Sequence, residues 1–122
     1  MIKYFYDTYA IIEFLQGNKK YKKYFKKDLG ITTRLNLMEL YYAYRDDEDY
    51  ASEVYDAYSS IAVEISDDQI KKGMKVRKDL KNMKLNISYV DAIGYSISFD
   101  SGIKFLTGDS EFKNLPNVEF VK

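Results

Sequence analysis

Histidine and cysteine are both absent from the 122-residue sequence. Without cysteine there is no disulfide framework and no thiol nucleophile. Without histidine the usual general base is missing, along with most zinc chemistry. Any metal held by this chain must be bound through oxygen, which favours Mg²⁺ or Mn²⁺ over Zn²⁺. Proline occurs once, at Pro116, and glycine six times. No linker or repeat is visible, so residues 1–122 read as one domain. Long apolar runs are missing too, and the N-terminus lacks the charged-then-apolar layout of a signal peptide. A cytoplasmic protein with no membrane partner is therefore expected. Neither sign of charge dominates, because 19 Lys+Arg balance 19 Asp+Glu. Attraction to nucleic acid must then come from local patches, not from the whole molecule.

Tyrosine is the abundant residue. The 13 Tyr and 7 Phe indicate an aromatic core and surface before a stacking platform, since tyrosine rings bury well while their hydroxyls stay wet. Ile2–Tyr6 suits a short buried strand, with Asp7-Thr8 at its carboxyl end. Tyr9–Leu15 has helical spacing and stops at Gly17-Asn18. Lys19–Lys27 reads KKYKKYFKK. On a helix its lysines fall in one arc and Tyr21, Tyr24 and Phe25 in the other. Ile31–Thr33 is a minimal strand, Leu35–Tyr44 a helix, Arg45–Asp49 a charged bend and Tyr50–Tyr58 a further helix. Ile61–Ile65 reads as a strand, and Ser66-Asp67-Asp68 caps a helix through about Lys81. Ser88 caps the next, which runs to about Phe99 and ends at Gly102. Ile103–Leu106 and Val118–Val121 complete the strands around a Thr107-Gly108-Asp109 turn and a helical piece near Ser110–Lys113. Strands alternating with helices predict an α/β three-layer sandwich with a central, mostly parallel sheet. Ligands of such sheets bind beyond the carboxyl ends of the strands.

Four acids stand out in that frame. Asp7 and Asp109 follow strands directly, and Asp91 lies in the first turn of the helix opened by Ser88. Glu39 interrupts an apolar stretch, where a charge is expensive to bury unless paired or metal-bound. Each has a plainer explanation. Asp7 could cap a helix, Asp91 fits an S-x-x-D capping box, Asp109 could serve a turn, and Glu39 could sit on a solvent edge. The four together are more informative, because the predicted topology brings these strand ends and helix starts to one place.

These segments also resemble the PIN-domain family, especially the VapC-type toxin ribonucleases. YFYDTYAIIEFLQGN is similar to the family's first strand, Asp-Thr/Ser and apolar helix. TTRLNLMELYYAYRD resembles its threonine-to-glutamate segment, and LNISYVDAIGYSISFDSGIKFLTGDSEF its C-terminal block. The likeness covers nearly the whole chain in order. It implies a metal-dependent ribonuclease in which Asp7, Glu39, Asp91 and Asp109 hold Mg²⁺ or Mn²⁺ and direct hydrolysis of RNA. It further implies Thr8 and Thr107 as supporting hydroxyls, with Glu111 as a more variable supporting acid. A homodimer and a cognate antitoxin are implied as partners. Tyr9, Ile97 and Phe99 depart from the family's smaller residues and bear on substrate shape.

For RNA contact, the candidates are Lys19, Lys20, Lys23 and Lys27, with Arg34 and Arg45 as lesser ones; an ordinary solvated helix face is the slightly better explanation of the lysines. One competing expectation is a PIN-like RNA-binding or regulatory module that no longer cuts. A phosphoacceptor receiver domain is the other. It would need an acidic pair after the first strand and a lysine after the last central one, where this chain has a lone Asp7 and Thr107-Gly108-Asp109.

Overall fold

A computed structural model describes residues 1–122. Strand β1 (Tyr4–Tyr6) leads to helix α1 (Thr8–Leu15) and a 3₁₀ segment at Lys19–Tyr24. Strand β2 (Gly30–Thr33) leads to α2 (Arg34–Ala43) and α3 (Glu48–Ser59). After β3 (Ala62–Val63) come α4 (Asp67–Asn82) and α5 (Tyr89–Asp100), then β4 (Lys104–Thr107), a 3₁₀ turn at Ser110–Phe112 and β5 (Val118–Phe120). The sheet order is β3-β2-β1-β4-β5 and every pairing is parallel. The expected three-layer α/β architecture is thus present.

Alternation along β1 explains the layers. Phe5 joins Phe105, Ile93, Ile97 and Leu80 on the side of α4 and α5. Tyr6 and Leu106 point the other way, into Ala10, Ile11, Leu37 and Val54 on the side of α1, α2 and α3. With a helix layer on each face, the central strands are apolar in both directions. Helix α5 is buried continuously from Ala92 to Ser98, a stretch of apolar and small residues in which Ser98 satisfies its hydroxyl on the Tyr95 carbonyl. Gly94 permits its approach to the sheet, since a Cβ there would lie 2.7 Å from Cε1 of Phe5.

Three expectations need revision. Lys19–Lys27 is not an α-helix: a 3₁₀ helix covers Lys19–Tyr24 only, with Asn18 capping it by accepting from Lys20 N–H at 3.0 Å. KKYKKY has a period of three, the number of residues per 3₁₀ turn. The Ile61–Ile65 strand shortens to Ala62–Val63 at the sheet edge, where only β2 is available to pair. The charged bend ends early, because Asp47 accepts from Tyr50 N–H and starts α3 at Glu48.

Replacing Gly94 by Ala is expected to destabilise the protein by about 1–3 kcal/mol through overpacking against Phe5. Urea unfolding measures this, and an unchanged midpoint would show that α5 does not rely on that close approach.

Candidate active site

In this strand order, the chain moves outward from β1 to β2 and β3, then returns to β4 on the other side of β1. The carboxyl ends of β1 and β4 therefore flank the switch point, where open parallel sheets form their crevices. Asp7 follows β1 and Asp109 follows β4, one on each side of that point. A cleft of about 620 Å³ opens there. Its walls include all four predicted acids, Asp7, Glu39, Asp91 and Asp109, together with Thr8. Tyr9, Met38 and Tyr42 form the remaining rim.

Asp7 occupies the N-cap position of α1, yet its side chain makes no capping hydrogen bond. It is only 2% exposed. Its Oδ2 accepts from Thr107 Oγ1 at 2.7 Å, while Oδ1 is buried without a partner. Burial pushes the Asp7 carboxyl well above its ordinary value, and the negative charges of Asp91 and Glu39 push the same way; the Thr107 bond only partly offsets them. Thr107, itself fully buried, also accepts from Asp109 N–H at 3.1 Å, so one hydroxyl ties the two strand-end acids together.

Asp91 serves the cap of α5 through its backbone and lines the cleft with its side chain. The Ser88 hydroxyl accepts from Asp91 N–H at 3.0 Å, which caps α5, while the carboxylate lines the cleft. Burial raises Asp91 above its ordinary value, hydrogen bonds with Asp7 and Ser88 draw it back, and the charge of Asp109 raises it again. Asp7 and Asp91 are within hydrogen-bonding reach. Two carboxylates can bond only by sharing a proton, so with both ionised the contact is repulsive.

Glu39 is raised by burial and by Asp91, and lowered by Thr8. Thr8 Oγ1 donates to Glu39 Oε1 at 2.5 Å. Behind Thr8 lies a relay that the sequence reading missed. Thr33 Oγ1 donates to Asn36 Oδ1 at 2.7 Å, and Asn36 Nδ2 donates to Thr8 Oγ1 at 3.0 Å. Asn36 is 1% exposed. An amide at a buried position of an otherwise apolar helix face was the available signal, since such a group must find partners.

Two of the supporting candidates have side chains away from the acid cleft. The Glu111 carboxylate accepts from Asn86 N–H at 3.1 Å and lines a different hollow with Met83 and Leu85. Position 111 instead supports the cleft through its backbone, whose N–H donates to Asp109 Oδ1 at 3.0 Å. Among the lysines, Lys19, Lys20 and Lys23 share a second concavity of about 630 Å³ with Lys22 and Lys26. Lys27 lines another hollow, beside Phe25 and Asp28. Lys26 lines both hollows, so the two are neighbours. Arg34 and Arg45 line neither concavity. Arg45 stacks on Tyr42 at 4.1 Å from the ring centroid, with Tyr42 itself on the cleft rim.

An all-oxygen donor set around a buried, unpartnered carboxylate oxygen suits a hard divalent cation. No three acidic side chains converge closely enough to chelate a bare ion. Any cation held here would meet the protein through few direct bonds.

Fold and cleft together define an α/β protein with a carboxylate cluster at the switch point of a parallel sheet. The chain belongs to the PIN domain family, which matches residues 4–118. A chain of the DNA-bound VapBC of Salmonella typhimurium has the same fold, with a TM-score of 0.78 at 16% identity over 99% of this chain and 98% of that one. A chain of Rickettsia felis VapBC2, bound to a DNA fragment from its promoter, gives 0.75 at 18% over 99% and 98%. A chain of VapBC-5 from Mycobacterium tuberculosis, a member of the VapBC family of toxin-antitoxin systems, gives 0.71 at 15% over 100% and 99%. Comparison with curated proteins gives no match.

Two outcomes are expected. First, Asp7 ionises less readily folded than unfolded. Its contribution to stability is therefore complete below the unfolded value near 3.8 and is lost as pH rises through the folded value. In EDTA, Asp7→Asn should melt higher than the parent at about pH 8, with the advantage vanishing toward about pH 4. An advantage that grows on acidification would reverse the sign assigned to Asp7. Second, Asn36→Leu leaves Thr33 and Thr8 without their buried partner and should cost about 1–3 kcal/mol in urea unfolding. Thr8→Val in the same background should then cost less than in the parent. Full additivity would mean that the relay is not coupled.

Proposed function

We propose that this chain is a VapC-type, Mg²⁺- or Mn²⁺-dependent endoribonuclease formed by a single domain over residues 1–122, with Asp7, Glu39, Asp91 and Asp109 as its catalytic and metal-holding acids. The observation that carries the reading is the buried, partnerless Oδ1 of Asp7 in a cleft shared with three further carboxylates. PIN domains are nuclease domains in general, and the family match adds support at that level.

Asp7, Asp91 and Asp109 would hold the cation directly or through water, and Glu39 would bind it or orient the attacking water. A bound divalent ion supplies charge stabilisation to the phosphoryl oxygens and lowers the pKa of water. Thr107 keeps one Asp7 oxygen occupied, while the other is buried with no hydrogen-bond donor of its own. Thr8, held by Asn36, keeps the Glu39 carboxylate turned into the cleft. The acidic walls repel a phosphodiester until a cation is present, which makes substrate binding in the cleft conditional on the metal. Lys19, Lys20 and Lys23 are the candidates for contact with RNA outside it.

As a toxin, the chain would pair with an antitoxin covering the acid cleft or an adjacent groove, and would form a homodimer. The assembly described for VapBC-5 supports a partner of that kind. No helix is long and apolar enough to cross a membrane, which accords with action in the cytoplasm on RNA.

The purified chain should cleave single-stranded RNA in Mn²⁺ and stop in EDTA. Asp7→Asn and Asp91→Asn should each lower the rate by about 100-fold or more, the scale of losing one preorganised electrostatic group. Thr107→Val should weaken metal affinity by about 10–100-fold. Parent activity in Mn²⁺ no greater than that of Asp7→Asn would favour the non-cutting module. Light scattering and co-purification with a small neighbouring gene product test the dimer and the antitoxin.

A further inference from the structure

Rows of a 3₁₀ helix repeat every three residues, so KKYKKY keeps Lys19 above Lys22, Lys20 above Lys23 and Tyr21 above Tyr24. The tyrosine row is buried and the lysine rows are exposed, with about 6 Å between row neighbours. The tyrosines also fasten the segment. Tyr21 donates to the Val121 carbonyl, and Tyr24 donates to Glu119 at 2.7 Å. Tyr6 donates to the Tyr24 carbonyl at 2.6 Å. The lysines thus project from a rigid base, which lowers the entropy lost when they engage a ligand. No carboxylate lines their concavity. The only ion pair in the molecule, Lys72 with Asp100, lies elsewhere. Glu119 lines only the adjoining hollow, beside Lys23 and Lys26, so the five lysines outnumber the single nearby carboxylate and favour an anion among them.

The lysine concavity and the acid cleft meet at a thin partition. A Cβ at Gly108 would lie 2.4 Å from the Tyr9 ring and 2.4 Å from the Val121 carbonyl oxygen. Tyr9 lines the acid cleft and Val121 the lysine concavity. Lys122 spans the divide: its Nζ donates to the Gly108 carbonyl at 3.3 Å, and its own carbonyl accepts from Lys20 Nζ at 3.4 Å.

We propose that the lysine concavity binds the sugar-phosphate backbone of a single-stranded RNA whose scissile phosphate lies in the acid cleft. Rows of point-like ammonium groups suit a linear polyanion, and the absence of arginine from the concavity disfavours the bidentate pairing typical of carboxylate recognition. The identity of the strand rests on the nuclease reading, whereas binding at the lysines themselves needs neither cation nor cleavage.

Fluorescence anisotropy of a labelled single-stranded RNA in EDTA reads this binding with cleavage suppressed. Lys20→Gln with Lys23→Gln should weaken affinity by about 10-fold and flatten the log–log salt slope by about 1.4, for two phosphate contacts on a single strand. Lys78→Gln with Lys81→Gln, exposed on α4 and outside both concavities, should change neither. Equal behaviour of the two double variants overturns the proposal. So does polyglutamate that binds as tightly as RNA with the same lysine dependence, because the site would then serve an acidic polypeptide. Lysine-dependent binding with no cleavage in Mn²⁺ keeps this site and removes the nuclease reading. Cleavage with an unchanged KM in the Lys20/Lys23 variant does the reverse.

Discussion

A carboxylate buried to 2% exposure among other acids dominates the chemistry of this molecule. Asp7 sits at the end of the central strand β1, beside Asp91 and in the field of Glu39. Desolvation and like charge both oppose its ionisation, and a single hydroxyl, that of Thr107, answers one of its oxygens. Such an arrangement is costly in an apolar surrounding unless a proton or a cation compensates it. Much of the nearby polar structure holds the acids in place. Thr107 joins Asp7 to Asp109, the Glu111 backbone holds Asp109, and Thr33, Asn36 and Thr8 lead in sequence to Glu39.

The fold makes this concentration of charge possible by separating it from the core. Two apolar clusters, one on each face of the sheet, supply the packing. The acids stand where β1 and β4 end and the crevice opens. Asp91 benefits from its place in the first turn of α5, where the helix dipole favours a negative charge. Gly94 and Gly108 matter for close approach: one lets α5 reach Phe5, the other lets Tyr9, Val121 and Tyr21 meet behind the cleft.

Overall neutrality hides a bipolar surface. The acid cleft and the lysine concavity, of nearly equal volume, lie back to back across Gly108. A formal charge of zero says little about such a protein, because potentials near a surface follow local arrangement within a Debye length of about 8–10 Å. The tyrosine richness serves this layout. Tyr21 and Tyr24 bury their rings and use their hydroxyls to fasten the lysine-bearing segment, and burial with the bond to Glu119 pushes Tyr24 up to about 12, so it remains a donor.

By itself the sequence determined the alternation of strands and helices, the caps at Ser66 and Ser88, and the strand-end positions of Asp7 and Asp109, because periodicity and capping are local effects. It also contained the three-residue period of KKYKKY, which suits a 3₁₀ helix where an α-helix was expected. The order of motifs already grouped Glu39 and Asp91 with Asp7; tertiary structure alone decided that Asn36 serves Thr8 across 28 residues, and that Glu111 contributes its backbone while its carboxylate turns to Asn86. Those outcomes depend on which side chains meet once sheet and helices pack. No local pattern encodes that distance, since the partners come from elements far apart in the chain.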